Sequence, residues 1–328
     1  MTSRTDRLAR AADRLAPLAS TVLGSYPLDV RSLTHLATHS NTMYRVVTTD
    51  GREFVLRVGS PSSNSSRNMV YEAAWLVALE RDTDLDVVRV FPSADGYYVV
   101  EATDLDGSTR ACMLFSWIPG EPLGHGAGSF GYRSLGALAA RLHQHGRQWE
   151  PPQPAGMRRW NQVFYYEEEL APVVIDDPRF DHLFSDSRDL LYRARGIAQA
   201  VIDEQWVGGG AQVVHGDLHE WNVHTAGARL YVFDFEDVMM ALPAQDVAIS
   251  LYSTRSHGRS LDVVDAFRRG YEEIAPWPIP DQRVLDGLMA ARQLMLMNHA
   301  ARTLPEKETA QYFGDVIPWL ATFVDSYR

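Results

Sequence analysis

Residues 213–237 read VVHGDLHEWNVHTAGARLYVFDFED, a loop, a strand, a tight turn and a second strand set inside an otherwise helical half of the chain. Pairing Val223–Thr225 with Arg229–Phe233 symmetrically about the turn near Gly227-Ala228 places Asn222 opposite Asp234. Facing cross-strand partners have Cβ atoms ~5 Å apart. An amide oxygen and a carboxylate at that separation suit a hard cation such as Mg2+, with phosphate oxygens completing its shell. Asp217, on the loop five residues before Asn222, is then placed to meet a hydroxyl at the far side of that cation. Phosphoryl transfer asks a protein mainly for alignment, neutralised phosphate charge and a carboxylate that orients and deprotonates the attacking hydroxyl. Asp217, Asn222 and Asp234 are the minimum catalytic set, with Asn222 and Asp234 as metal ligands. The bland alternative is that all three are loop residues capping backbone amides.

Upstream the texture differs. A helix is expected over residues 3–23, broken at Pro17. From Ser32 to Val100, β-type stretches recur at Tyr44–Thr48, Phe54–Val58, Val87–Phe91 and Tyr97–Glu101, separated by turn signals at Asp50-Gly51 and Asp95-Gly96. One helix, Arg67–Glu80, lies among them. The Gly- and Pro-rich run Trp117–Gly131 then marks a hinge, and helical periodicity dominates the remainder. The expected fold is α+β: a small antiparallel-sheet lobe over residues 1–115, a hinge over 116–131 and a larger helical lobe over 132–328.

Residues 215–222 (HGDLHEWN), Phe233-Asp234-Phe-Glu-Asp and the later Pro243-Ala-Gln-Asp246 together resemble the aminoglycoside phosphotransferase superfamily, whose fold is two-lobed and protein-kinase-like. That superfamily also holds choline, homoserine and bacterial stress-response kinases. The resemblance covers nearly the whole chain, and its motifs stand in the right order and spacing. It implies Asp217 as catalytic base, Asn222 and Asp234 as metal ligands, Asp246 as a brace of the catalytic loop, His215 as a loop-structuring residue, and ATP (or GTP) with Mg2+ as cofactors. Phe54-Val-Leu-Arg57 resembles the strand that carries a phosphate-binding cation, and Tyr71-Glu72 the helix whose glutamate pairs with it. A plain Arg57–Glu72 surface pair is the alternative. The loop Ala37–Asn41 has no glycine, so phosphate contact there falls to backbone amides and the side chains of Ser40 or Asn41. Met113–Trp117, with Phe115 and Trp117, resembles the linker that binds adenine through its backbone, and Gly120-Glu121 matches a turn of the family.

Composition narrows the alternatives. Of 328 residues 45% are hydrophobic, the formal charge is -11, and no apolar run approaches the ~20 residues of a membrane span. No basic patch suggests nucleic acid. The charged N-terminus is unlike a signal peptide, so a cytoplasmic protein is expected. Lys307 is the only lysine, and without a Gly-Lys pair a P-loop is excluded. The single Cys112 sits in an apolar stretch as a core thiol. His215, His219 and His224 lack the further ligands of a zinc site, and Ala127–Gly131 lacks the first glycine and the strand of a hydrolase elbow.

Candidates for the substrate site are Glu220, Glu236, Asp237, Trp160 and Arg292, together with Asn161, Glu167–Glu169, Gln293 and Asn298. The carboxylates among them favour a small hydroxyl compound that carries an amine. The finer texture is closest to the homoserine-kinase-like and stress-response-kinase branch. A small-molecule acceptor, a protein serine or threonine, and a non-catalytic nucleotide-binding scaffold all remain open at this point, as do the oligomeric state and the choice of nucleotide.

Overall fold

The computed structural model describes residues 4–38, 41–61, 63–165, 173–255 and 261–327, which group into two compact units. Unit 1 comprises Met1–Pro122, Pro151–Pro154 and Asn222–Asp237, and unit 2 comprises Leu123–Glu150, Ala155–Trp221 and Val238–Arg328. None of the described helices is long and apolar enough to cross a membrane.

Unit 1 opens with helix α1 (Arg4–Leu23), followed by strands β1 (Val30–Thr38), β2 (Thr42–Thr48) and β3 (Glu53–Val58), helix α2 (Ser63–Asp82), and strands β4 (Asp86–Val87), β5 (Val90–Phe91), β6 (Val100–Thr103), β7 (Thr109–Ser116) and β8 (Glu121–Pro122). The main sheet is antiparallel in the order β1-β2-β3-β7-β5, with β6 also on β7. Burial alternates along β2, Tyr44 and Val46 pointing into a core shared with Phe54, Leu56, Cys112 and Leu114. That two-residue period is what a sheet with one face on a core requires. Burial pushes the Cys112 thiol up to about 12, so it behaves as an inert core group.

Two expectations change here. The first helix is not broken at Pro17, which lies inside a continuous α1. Proline removes one intrahelical donor, but Leu15, Leu18, Ala19 and Val22 bury one face of the helix in the sheet core, which holds it through the defect. Met113–Ser116 is not a free linker but the end of β7, which pairs Phe54 with Ser116 and Val58 with Cys112. Six consecutive buried residues leave β7 without the alternation by which a strand is recognised.

The hairpin is formed by β10 (Val223–Ala226) and β11 (Arg229–Val232), and the structure groups it with unit 1 rather than with the helical part. The cause is pairing: β11 runs parallel to β4, Tyr231 facing Asp86, and β10 pairs with β8, His224 facing Pro122. Gly120 (φ +86) lies so close to this sheet that a Cβ would stand 2.2 Å from the Thr225 carbonyl oxygen.

Unit 2 contains helices α3 (Gly128–Gln148), α4 (Asp181–Phe184), α5 (Arg188–Val207), α6 (Pro243–Leu251), α7 (Leu261–Glu272), α8 (Gln282–Thr303) and α9 (Glu306–Ser326), with the short pair β9 (Gln212–Val214) and β12 (Met239–Ala241). Helix α8 is buried nearly all round, so its polar residues must find partners within the protein. Gln293 accepts from the Tyr252 hydroxyl at 2.6 Å and donates to Tyr312 at 2.8 Å. Asn298 accepts the Val174 amide at 2.6 Å. Both side chains, expected at the substrate site, brace the helical core.

Helices α3 and α7 pack backbone to backbone. A Cβ on Gly136 would stand 2.0 Å from the Phe267 carbonyl oxygen, and one on Gly270 would stand 1.8 Å from that of Arg133. Gly270→Ala therefore forces the helices apart and is expected to cost about 2–3 kcal/mol. Gly196→Ala, inside α5 with open space around it, is expected to gain about 0.5–1 kcal/mol through helix propensity. Urea unfolding of the two variants checks both signs.

Candidate active site

The hairpin register is set by its loop. Gly227 and Ala228 form a two-residue connection, so Ala226 faces Arg229 and Val223 faces Val232. Asn222 consequently meets Phe233, whose N–H donates to the Asn222 carbonyl at 3.1 Å, and not Asp234 as a turn centred one half-residue later would give. Asp234 is aimed by another device. Its φ of +65° is one of only two positive values at non-glycine residues among those described. Aspartate tolerates this left-handed conformation better than most residues, at a cost of about 1–3 kcal/mol. The turn ends β11, and the next residue, Phe235, is fully buried edge-on to Trp75 with centroids 5.4 Å apart, which anchors the chain beyond it.

Asp234 lines a cavity of about 380 Å3 within unit 1. Its apolar walls come from Leu36, Ala37, Met43, Val55, Val88, Phe115 and Ile118, with Trp117 and His224 also on the lining. Asn41, Arg57, Glu72, Asp234 and Glu236 make its charged part. Arg57 is 3% exposed and donates through both terminal nitrogens to the two oxygens of Glu72, one bond being 3.1 Å. Burial opposes the Arg57 charge, but Glu72, Glu236 and Asp234 more than offset it and raise its pKa. Glu236 lies here rather than at a substrate site. Its carboxylate accepts from Asn41 and stands 3.8 Å from Arg57, and its backbone carbonyl accepts from Asn68. Burial first, and then the neighbouring Asp234 charge, push Glu236 up to about 8. Asp237 closes the same short 3-10 turn. Ser40 lies outside the described residues, as do Glu167–Glu169.

The excess of carboxylate at this end of the cavity is itself informative. The Asp234 charge adds to the cost of ionising Glu236, a penalty that a divalent cation would remove. Hard carboxylate oxygens such as those of Asp234 and Glu236 fit Mg2+ better than a soft metal, and Asn222 is not among the residues that line the cavity.

The loop that carries Asp217 belongs to unit 2. It leaves β9 at the fully buried His215, whose Nδ1 accepts the Asp217 amide at 3.2 Å, and it turns at Gly216 with φ +83°. The Gly216 N–H donates to Asp246 Oδ1 at 2.9 Å, and the other oxygen of Asp246 meets His143 Nε2 at 3.0 Å. A carboxylate only accepts, so His143 carries its proton on Nε2 and its Nδ1 accepts from the Tyr271 hydroxyl at 2.8 Å. His143 and Tyr271 were not foreseen; the one local signal is a histidine next to Leu142 on the buried face of α3.

Asp217 is paired on both oxygens. Arg292 donates to Oδ1, and His219 Nε2 lies 3.4 Å from Oδ2. Burial alone would raise the pKa of this carboxyl, but the Arg292 guanidinium and then His219 outweigh it and bring it down to about 2. Other residues expected to face substrate are structural in this unit. Trp160 is fully buried with its ring 5.1 Å from Tyr165, and Glu220 is 1% exposed and accepts from Ser253 at 2.8 Å.

Comparison with known proteins agrees with this architecture. The phosphotransferase enzyme family matches over residues 33–288, and the chain belongs to that family. An uncharacterized protein of Synechocystis sp. is 26% identical over 245 residues, and the amicoumacin kinase of Bacillus subtilis is 22% identical over 220. The matches cover 74% and 66% of this chain, and the chain spans 66% and 62% of the length of those two relatives. Among solved structures, a microcompartment-associated aminopropanol kinase superposes with a TM-score of 0.77 at 22% identity, covering 95% of this chain and 98% of that one. An amicoumacin kinase in complex with AMP-PNP, Ca2+ and Ami gives 0.71 at 19% identity, covering 97% and 95%. The fold is thus the α+β, protein-kinase-like fold of these phosphotransferases.

The buried ion pair provides a stability test. Arg57→Met leaves Glu72 buried without its partner and is expected to destabilise the protein by about 3–5 kcal/mol. Arg57→Met combined with Glu72→Leu is expected to recover much of that loss. Denaturant unfolding of the single and double variants measures the difference.

Proposed function

We propose that this protein is an ATP-dependent phosphotransferase that moves the γ-phosphoryl group to a hydroxyl of a small, amine-bearing molecule. The observation that carries this reading is the state of Asp217, a carboxylate held ionised and oriented on the loop that leads directly into Asn222. The amicoumacin kinase and aminopropanol kinase relatives support an acceptor of this class.

In this reading Arg57, fixed by Glu72, binds phosphate oxygens, and the apolar walls around Val55, Phe115 and Ile118 take the base. Asn222 and Asp234 would hold Mg2+, which when bound neutralises phosphate charge. Asp217 accepts a hydrogen bond from the acceptor hydroxyl and takes its proton as the new oxygen–phosphorus bond forms. The bond from the γ-phosphorus to its bridging oxygen breaks in the same step, and ADP leaves.

The test is a screen of labelled ATP against amino alcohols, aminoglycosides, other antibiotics and generic proteins. Transfer to a hydroxylated amine is expected. Transfer only to proteins would replace the small-molecule reading with a protein Ser/Thr kinase. On the acceptor found, Asp217→Ala is expected to lower kcat by roughly 10²- to 10⁴-fold with nucleotide binding nearly intact. Asp234→Ala is expected to abolish Mg2+-dependent ATP binding by calorimetry. Full turnover in Asp217→Ala would end the assignment of the base.

A further inference from the structure

We propose that His219 and Arg292 form a two-sided clamp that positions the Asp217 carboxylate for the acceptor hydroxyl, an inference that rests on Asp217 being the base. Arg292 thereby changes role, from a substrate contact to a positioning residue.

The tautomer of His219 is settled by its neighbours. Its Nδ1 accepts the Trp221 backbone N–H at 3.1 Å, so the proton of the neutral ring sits on Nε2, the nitrogen 3.4 Å from Asp217 Oδ2. The loop therefore orients a donor toward its own carboxylate, using the peptide just before Asn222 as the handle. Arg292 reaches Oδ1 from the buried helix α8 and donates a second bond to the Tyr165 hydroxyl at 3.0 Å. Tyr165 is itself packed against the fully buried Trp160. The guanidinium is thus tied to a group outside the loop, Tyr165, as well as to Asp217.

Exposure separates the roles. The Arg292 side chain is 9% accessible, against 21% for Asp217 and 27% for His219. Arg292 is the most enclosed of the three and acts through Asp217. Free rotation of a carboxylate would present its lone pairs in many directions, and a donor on each oxygen removes that freedom. A carboxylate has about four lone-pair positions, so accepting from Arg292 and His219 does not by itself exhaust it. Misplacing a base by about 1 Å costs on the order of 10²-fold in rate.

A purely structural pair would change only stability, so the experiment reads turnover, pH dependence and the tautomer separately. Wild type, Asp217→Ala, His219→Asn, His219→Gln, Arg292→Met and Arg292→Lys are assayed as the full chain, with ATP–Mg2+ and either aminopropanol or water as acceptor. His219→Asn keeps an acceptor for the Trp221 amide and loses the donor to Asp217, whereas His219→Gln keeps that donor. We expect kcat to fall about 10- to 100-fold in His219→Asn and Arg292→Met, with the ATP KM within twofold of wild type and much of the loss recovered in His219→Gln and Arg292→Lys. Removing the cation raises the Asp217 pKa, so Arg292→Met is expected to bring into the kcat profile an acid limb that wild type lacks above pH ~4. In ¹⁵N-histidine NMR of the whole protein, His219 is expected as the Nε2–H tautomer, shifting on Asp217→Asn. If Asp217→Ala is inactive while His219→Asn and Arg292→Met keep wild-type kcat and pH profile, the clamp is overturned and the base stands. If Asp217→Ala is fully active, the base reading fails and the clamp with it. An Nδ1–H tautomer, or a His219 resonance blind to Asp217→Asn, overturns the clamp whatever the turnover.

Discussion

A carboxylate buried in a protein calls for donors to its oxygens, and the way unit 2 meets this demand at Asp246 shapes the loop that carries Asp217. One oxygen takes the Gly216 N–H and the other takes His143, whose second nitrogen is supplied by Tyr271. Leaving any of these groups unpaired would cost about 1–3 kcal/mol, so α3, α6, α7 and the loop are tied to one arrangement. The left-handed turn at Gly216 and the direction in which Asp217 leaves it are consequences of that arrangement.

The same accounting explains how each unit treats its charges. In unit 1 the buried Arg57 is matched by both oxygens of Glu72. Glu236, close by, has less positive charge to share, and burial beside Asp234 pushes it up to about 8. In unit 2 Asp217 has two partners and is moved the other way, to about 2. Burial acts upward on both carboxylates, and their neighbours decide the outcome: Glu236 is left short of positive charge, and Asp217, beside Arg292 and His219, stays ionised.

Residues that look available on paper are often committed to the scaffold. Glu220, Trp160, Gln293 and Asn298 were expected near substrate, yet each is buried and the polar partners of Glu220, Gln293 and Asn298 lie inside unit 2. A polar residue on a helix buried on all sides has to be paired internally, and sequence alone does not reveal that α8 is enclosed. The amine preference inferred from Glu220 and Glu236 loses its direct structural basis, while the cationic groups beside Asp217 come from Arg292 and His219.

The features legible along the chain are local in origin. The order HGDLHEWN, FDFED and Pro243–Asp246, the strand and helix that carry Arg57 and Glu72, and the change from sheet to helical texture all depend on spacing within short segments, where chain geometry dictates which residues are neighbours. The tertiary structure decided the rest. The register differs by one position because a two-residue loop sets it, and a half-residue error in the assumed centre shifts every cross-strand partner by one. Strand β7 was hidden because burial on both faces erases alternation. Tyr271 and His143 support Asp246, and Tyr165 and Arg292 support Asp217, across long stretches of chain and through tertiary packing that no local pattern encodes.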